Sequence, residues 1–392
     1  MKHAVVAMLS AASIAPLAAD EPRPTSCLIQ PDRTVAVTPG PGRVVYCGID
    51  LGSRTAKLSV LSMMKGRNAS VRDERLCKRT LGMGALVFDS KTRAAGPLPE
   101  PALGHLIDTV REFQKICALD GGTIVAAGAT QWARDATNIA DVVARVKGET
   151  GVAFDVLSRS QEAEYSYSAA SLNTPGRFVL DSGSNSFELA WQQKGATEMA
   201  SVTVEYGYVR AATNDLEPAA DFSRGREAYQ TRVRDLIEQD LAKLTPPTSL
   251  ARLRALVGQG KLGADLIALG EDGAVVPLAV RGALRNGTRG WVSDGKKYDE
   301  VLGGQPRKHD PSFGVMTAVP VRPAELTAYL RTIRPADFDT LKTDPVRGIY
   351  GQKALVVPLL VDLLLRELGA TRLVIVPQEI TTGHVLRKLA GG

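Results

Sequence analysis

The chain has 392 residues, a length that favours two domains over one. Its 44% hydrophobic and 23% charged content allow a sizeable core and exclude a largely disordered protein. A net charge of +6 suits an anionic ligand, while the mild charge and 5% aromatic content argue against a nucleic-acid interface.

Lys2 is followed by an apolar, alanine-rich run over 4–19 and then by Asp20-Glu21-Pro22. A charged start, an apolar centre and small residues before a polar break read as a secretory signal peptide over 1–19, which predicts a periplasmic or secreted protein. The rival reading is a misassigned start, with a cytoplasmic protein beginning near Gly42. The run is too short for a membrane span, and none is expected later in the chain. Residues 20–42, rich in Pro, Thr and Gly, read as a linker or N-terminal arm. Short alternating runs at 44–49, 56–63, 70–80 and 85–89 predict a mostly antiparallel sheet. Leu103, Leu106, Ile107, Val110 and Phe113 have helical spacing within 102–119. A strand over 123–128, a helix over 135–150, a strand over 152–157 and a helix over 161–170 follow.

The second half repeats the plan. Strands are predicted at 178–180, 188–192 and 201–204, then a charged helix over 224–244 ended by Pro246-Pro247. A short strand at 255–258 precedes a helix. Residues 271–311 read as glycine-rich and irregular, with a basic stretch over 281–308. Helices at 324–331 and 353–368, a strand at 373–376 and a helix at 382–389 complete the chain. Strands followed by helices, twice, make a two-domain α/β pattern whose cleft is the default site.

Four cysteines, Cys27, Cys47, Cys77 and Cys117, allow three pairings. Cys47 lies inside a predicted core strand and reads as a buried small hydrophobe. The four histidines are scattered and no Cys-x-x-Cys is present, so zinc is not expected.

Two short runs say nearly the same thing. Asp50-Leu51-Gly52-Ser53-Arg54-Thr55 follows one predicted strand, and Asp181-Ser182-Gly183-Ser184-Asn185-Ser186 follows another. A small-residue turn of this kind aims backbone N–H groups into one space, where an anion can sit. Gly52, Ser53, Gly183 and Ser184 are the phosphate-binding candidates, with Asn185 beside them and Arg54 and Lys57 adding positive charge. The strand-end acids Asp50 and Asp181 are candidates to hold Mg2+ or another divalent cation, which takes carboxylate and phosphate oxygens. The alternative is that each aspartate caps its own turn.

Five segments in order resemble the exopolyphosphatase/guanosine pentaphosphate phosphatase (Ppx/GppA) family. They are Gly48-Ile49-Asp50-Leu51-Gly52-Ser53, the block from Ala129 to Asn138 with Arg134-Asp135-Ala136, Leu157-Ser158-Arg159-Ser160-Gln161-Glu162-Ala163, Leu180 to Leu189, and Glu205-Tyr206-Gly207-Tyr208-Val209-Arg210. The resemblance implies two actin-like (ribonuclease H-like) α/β domains with a cleft between them, placed at 43–168 and 169–392. It implies that Glu162 is the general base that activates water, that Glu188 binds metal or positions water, and that Arg134 neutralises charge on the transferred phosphoryl group. For Glu162 and Glu188 the bland readings are an exposed helix glutamate and a solvent-facing strand residue; for Arg134, an ion pair with Asp135 or a neighbour. The chain departs from the family pattern at Arg54-Thr55, at Gln161 where an acid is usual, at Ser182 and Ser184-Asn185, and near 257–261, where Gly-Gly-Thr is absent.

The expected activity is metal-dependent hydrolysis of terminal phosphate from inorganic polyphosphate or another phosphoanhydride. The alternatives are a non-catalytic phosphate or polyphosphate binder, and a guanosine pentaphosphate or ATP hydrolase of the same fold. A homodimer is compatible with the sequence.

Overall fold

The computed structural model describes residues 25–29, 36–64, 67–89, 94–171, 177–208, 211, 222–280, 320–333, 347–376 and 378–391. The signal-peptide stretch 1–19, the basic stretch 281–308, Val209 and Arg210 lie outside them.

The first sheet grows from an antiparallel meander, β2 (Arg43–Leu51), β3 (Thr55–Met64) and β4 (Arg67–Thr80). On the other side of β2, β7 (Thr123–Ala129) and β8 (Asp155–Val156) run parallel to it. The arm contributes β1 (Ser26–Ile29) to the outer edge of β4, giving the order β1-β4-β3-β2-β7-β8. Alternation sets the faces of this sheet. Val45, Cys47, Ile49 and Leu51 of β2, with Ala56, Leu58 and Val60 of β3, share one core with Leu106, Val110 and Phe113 of α2 (Glu100–Leu119). Tyr46, Gly48 and Asp50 point the other way, with Lys57, Ser59 and Leu61.

The second sheet has the order β11-β10-β9-β12-β13, from β9 (Phe178–Ser182), β10 (Phe187–Trp191), β11 (Ala200–Val204), β12 (Asp265–Leu269) and β13 (Arg372–Val376). β9, β12 and β13 are parallel to one another, so their carboxyl ends align on one edge. One face packs on α6 (Phe222–Leu241), α7 (Leu250–Gly258), α8 (Gly270–Val280), α9 (Pro323–Arg331) and α10 (Arg347–Leu368). The other receives Ala163, Tyr167 and Ala170 of α5 (Arg159–Ser171).

The last described helix, α11 (Ile380–Gly391), follows the second sheet in sequence but lies on the first. Val385 packs with Leu61 and Ala126, and the Ser59 and Thr381 hydroxyls meet at 2.5 Å. It also packs along α5, the helix carried by the second sheet. The range 169–392 therefore contains a helix that covers the first sheet. Two α/β units, one sheet each, joined by this helix pair, realise the expected fold class.

Local differences from the sequence reading have local causes. The run at 85–89 is not one strand: after Gly82, at φ +66°, residues Met83–Val87 form α1, whose buried Met83 and Val87 lie one helical turn apart. Only Phe88–Asp89, β5, is extended, paired with β6 (Ala94–Ala95). Residues 255–258 are the end of α7, whose Leu250, Leu253 and Leu256 are buried at helical spacing and whose Ser249 hydroxyl caps the Arg252 N–H. The strand lies later, at β12. The helix expected over 135–150 begins later, as α4 (Ile139–Thr150), and a separate short helix, α3 (Gln131–Asp135), precedes it. The segment 270–280, read as irregular, is α8.

Cys47 is buried, as expected, but it is not a free thiol: it is bonded to Cys117 of α2, and Cys27 of the arm to Cys77 of β4. Closing chain separations of 50 and 70 residues restricts the unfolded chain by about 4 kcal/mol for each bridge. Both bridges lie within the first unit.

Candidate functional site

The two strand-end aspartates open turns of one geometry. The Gly52 N–H donates to the Thr55 carbonyl at 3.1 Å, and the Gly183 N–H to the Ser186 carbonyl at 2.9 Å. A Cβ on Gly52 or Gly183 would lie 2.8 or 3.0 Å from that carbonyl oxygen, so both turns need glycine. The strand register also repeats. Asp50 pairs with Lys57 across β2 and β3, and Asp181 with Glu188 across β9 and β10. Each aspartate thus has a charged residue opposite it, a cation in the first hairpin and an acid in the second.

The turns approach each other. Gly84 of α1 donates its N–H to the Ser53 carbonyl at 2.6 Å, and a Cβ there would meet Ser53 Cβ at 2.9 Å and Asn185 Nδ2 at 3.2 Å. Gly84 is thereby held between the first turn and the second. Sequence reasoning missed it; the available signal was the Gly82-Met83-Gly84 pair just before an apolar run. The Arg54 carbonyl accepts from the N–H groups of Leu81 and Gly82, fixing the entry to α1. Behind the second turn, Gly207 donates to the Asn185 carbonyl at 2.9 Å and Tyr208 to the Gly183 carbonyl at 3.3 Å. Gly52, Ser53, Arg54, Gly183, Ser184 and Asn185 are all half-buried at this junction.

Glu162 reaches the site from the first turn of α5. That helix opens with a reciprocal cap: Ser158 Oγ accepts from the Gln161 N–H at 3.2 Å, and Gln161 Oε1 from the Ser158 N–H at 2.9 Å. Gln161, which stands where the family pattern has an acid, therefore serves the helix end, where an amide works as well as a carboxylate. Glu162 is only 5% exposed, and Glu188 is buried too, so neither is a solvated glutamate. Arg134 donates to Glu162 Oε1, to the Leu157 carbonyl at 2.5 Å and to Gln131 Oε1 at 2.7 Å. Asp135 accepts from Gln131 instead, so the ion pair of Arg134 is with Glu162 rather than with its sequence neighbour. Asp181 accepts from Ser166 Oγ at 2.5 Å.

Burial dominates the electrostatics. It pushes the Asp50 carboxyl up to about 8, against the pull of Lys57 and with the added push of Glu379, Glu162 and Asp181. Burial likewise raises Glu162 to about 7, opposed first by the charge of Arg134. Glu188 is held well above the usual carboxylate range by burial and by Glu162 and Asp181. Asp73, on β4, is raised to about 7 by burial. These acids bind protons more tightly folded than unfolded. Their contribution to stability is complete below their unfolded values near 4 and is lost as pH rises through about 7 to 8. In the absence of ligands, the thermal midpoint is expected to fall by at least about 5 °C between about pH 6.5 and 8.5. Circular dichroism melts check this, and Asp50→Asn should flatten part of the slope.

Among the described residues, no three acidic, histidine or cysteine side chains converge closely enough to cage a metal ion. The donor set still suits Mg2+, which is commonly held by one or two carboxylates and completed by water and phosphate oxygens. Asp50 Oδ1 is buried without a hydrogen-bond partner, which is the state of an oxygen left for a ligand.

Residues 85–271 match the model of the Ppx/GppA phosphatase family. This segment, just under half of the chain, is similar to that family. Over 146 residues the chain is 32% identical to exopolyphosphatase 1 of Mycobacterium leprae and 31% identical to exopolyphosphatase 1 of Mycobacterium tuberculosis. The match takes in 36% of this chain and 41% and 40% of those proteins, so the chain spans about two fifths of the length of these curated relatives. Among solved structures, an Aquifex aeolicus PPX-GPPA enzyme aligns with a TM-score of 0.61 at 15% identity, covering 88% of this chain and 99% of that one. An exopolyphosphatase from Cytophaga hutchinsonii gives 0.61 at 15% identity, covering 88% and 98%. The two-unit fold of this chain is thus the Ppx/GppA fold. No described helix is long and apolar enough to cross a membrane.

The stretch 257–261 is the end of α7 and the loop after it, whereas the glycine that ends a parallel strand at the site edge is Gly270, after β12. It is followed by Glu271-Asp272-Gly273.

Proposed function

We propose that this Ppx/GppA chain is a metal-dependent phosphoanhydride hydrolase that releases terminal phosphate from inorganic polyphosphate. The observation that carries the reading is the pair of matching Asp–Gly turns, brought face to face through Gly84, with a buried glutamate beside them. The two turns bind the oxygens of the terminal phosphate. Glu162 takes a proton from the attacking water at Oε2, because Arg134 holds Oε1. Its raised affinity for a proton suits a base that works near neutrality. Arg134, fixed by three acceptors, keeps that carboxylate in one orientation and balances its charge. Asp50 and Asp181 would hold the Mg2+, which supplies charge neutralisation for the phosphoryl oxygens. The names of the mycobacterial relatives favour polyphosphate over other phosphoanhydrides.

A phosphate-release panel on polyphosphate, guanosine pentaphosphate and ATP with Mg2+ tests the assignment. Polyphosphate should be turned over fastest; release from ATP exceeding it would overturn the substrate, and no release from any of them would select a non-catalytic binder. We also assign the protein to an oxidising compartment. The support is that all four cysteines are paired. Mass spectrometry of the mature N-terminus checks it: cleavage after 19 is the expected result.

A further inference from the structure

Two cations near the site, Arg134 and Lys57, are already engaged by carboxylates. Arg134 donates through both terminal nitrogens, to Glu162, a backbone carbonyl and Gln131. Lys57 stands opposite Asp50 at the foot of the first turn and donates to Glu379 Oε2 at 2.7 Å. The two side chains are 15% and 8% exposed, so the pair is largely desolvated. Glu379 comes from the far side of the cleft, between the end of β13 and the start of α11. Its carboxyl rests against Gly270, at φ +52°, where any side chain would collide with it. Its neighbour Gln378 donates to Asp73 of β4 at 3.0 Å. The Glu379 carboxylate is thus held between Gly270 and a lysine beside the proposed phosphate turns, in a loop tied to β4 through Gln378.

We infer that Lys57 is the cation that meets the substrate's phosphate, and that Glu379 is an internal anion it releases when phosphate arrives. The inference rests on the proposed phosphate site at the first turn, but not on hydrolysis there. Lys57 is the exchangeable partner because its ammonium makes a point contact, whereas the guanidinium of Arg134 is forked into three acceptors. The exchange weakens binding of any phosphate by the strength of the internal pair. Only an anion that gains more from the turns than Glu379 gains from Lys57 displaces it. A condensed phosphate, with several charged groups, does so more readily than free orthophosphate, which helps product leave.

Calorimetric titration with tripolyphosphate and Mg2+ tests this on the full chain. Glu379→Gln should tighten binding by about tenfold, and Lys57→Gln should weaken it by about tenfold. The double variant should bind like Lys57→Gln, since without the lysine there is nothing to release. Glu379→Asp, which keeps the charge but shortens the reach, should fall between wild type and Glu379→Gln, and it serves if the glutamine variant fails to fold. A merely structural pair would lower the melting temperature without raising affinity in either Glu379 variant. Unchanged or weaker binding in a folded Glu379 variant, or an equal gain from Glu379→Gln when Lys57 is already glutamine, overturns the inference. If no protein releases phosphate yet the affinity order holds, the hydrolase reading fails and the exchange stands.

Discussion

Glu162→Gln is expected to lower kcat for phosphate release from polyphosphate by about 10²- to 10⁴-fold, with KM little changed. The isosteric amide keeps the volume and still accepts from Arg134 through its oxygen, but it no longer takes a proton from water. Burial makes this position sensitive. A carboxylate only 5% exposed, beside Asp181 and Glu188, is shielded from bulk water. The wild-type pH profile should rise through about 7, and the residual activity of the variant should lose that limb. Phosphate release assayed from acid to alkaline pH reads both. Equal rates in wild type and variant would remove Glu162 from the chemistry. A loss confined to KM would make it a binding group.

Gly383→Ala is expected to destabilise the protein by about 3 kcal/mol, through a single added methyl group. At Gly383 α11 crosses α5 so closely that a Cβ would run into the carbonyl oxygen of Tyr165. Backbone stands on both sides of that contact, so no side-chain rotation relieves it. Gly48 and Gly128 permit the same close fit where α11 meets the first sheet, against Val385 and His384. The His384 ring, in turn, stacks on Tyr165 with centroids 4.6 Å apart. Moving α11 by the width of a methyl group disturbs all of these contacts and shifts α5, the helix that carries Glu162. Denaturant melts should show the loss of stability, and kcat should fall with it. Gly148→Ala in α4, where a Cβ meets nothing within 4 Å, is the control and should be neutral or stabilising by up to about 1 kcal/mol. Equal stability of the two variants would mean that the α5–α11 contact is looser than described.

The features legible in the sequence were those set by neighbours along the chain. The twin turns could be read because an Asp, a Gly and a Ser in a fixed order define a turn without help from the rest of the molecule. Glu162 could be read because its segment resembles a family block. The helix α2 showed in its apolar spacing. What escaped depends on contacts between distant segments. Glu379 looks like any loop glutamate until the loop after β13 is placed against Lys57 of β3. Gly84 carries no mark of meeting both turns. Which cysteine Cys47 meets depends on how α2 lies across β2. The strand at β12 was misplaced into α7 because short apolar runs near glycine fit helix or strand equally well, and burial on one face decides between them.

The position of α11 has a consequence for how the molecule is made. The first sheet is complete by residue 156, yet the face bearing Gly48, Ser59 and Leu61 stays uncovered until residues near 391 have left the ribosome. The early half therefore waits, with Leu61 and Ala126 of that face uncovered, for the later half to be synthesised. Under this order of events the contact between α11 and α5, the helix that carries Glu162, forms last.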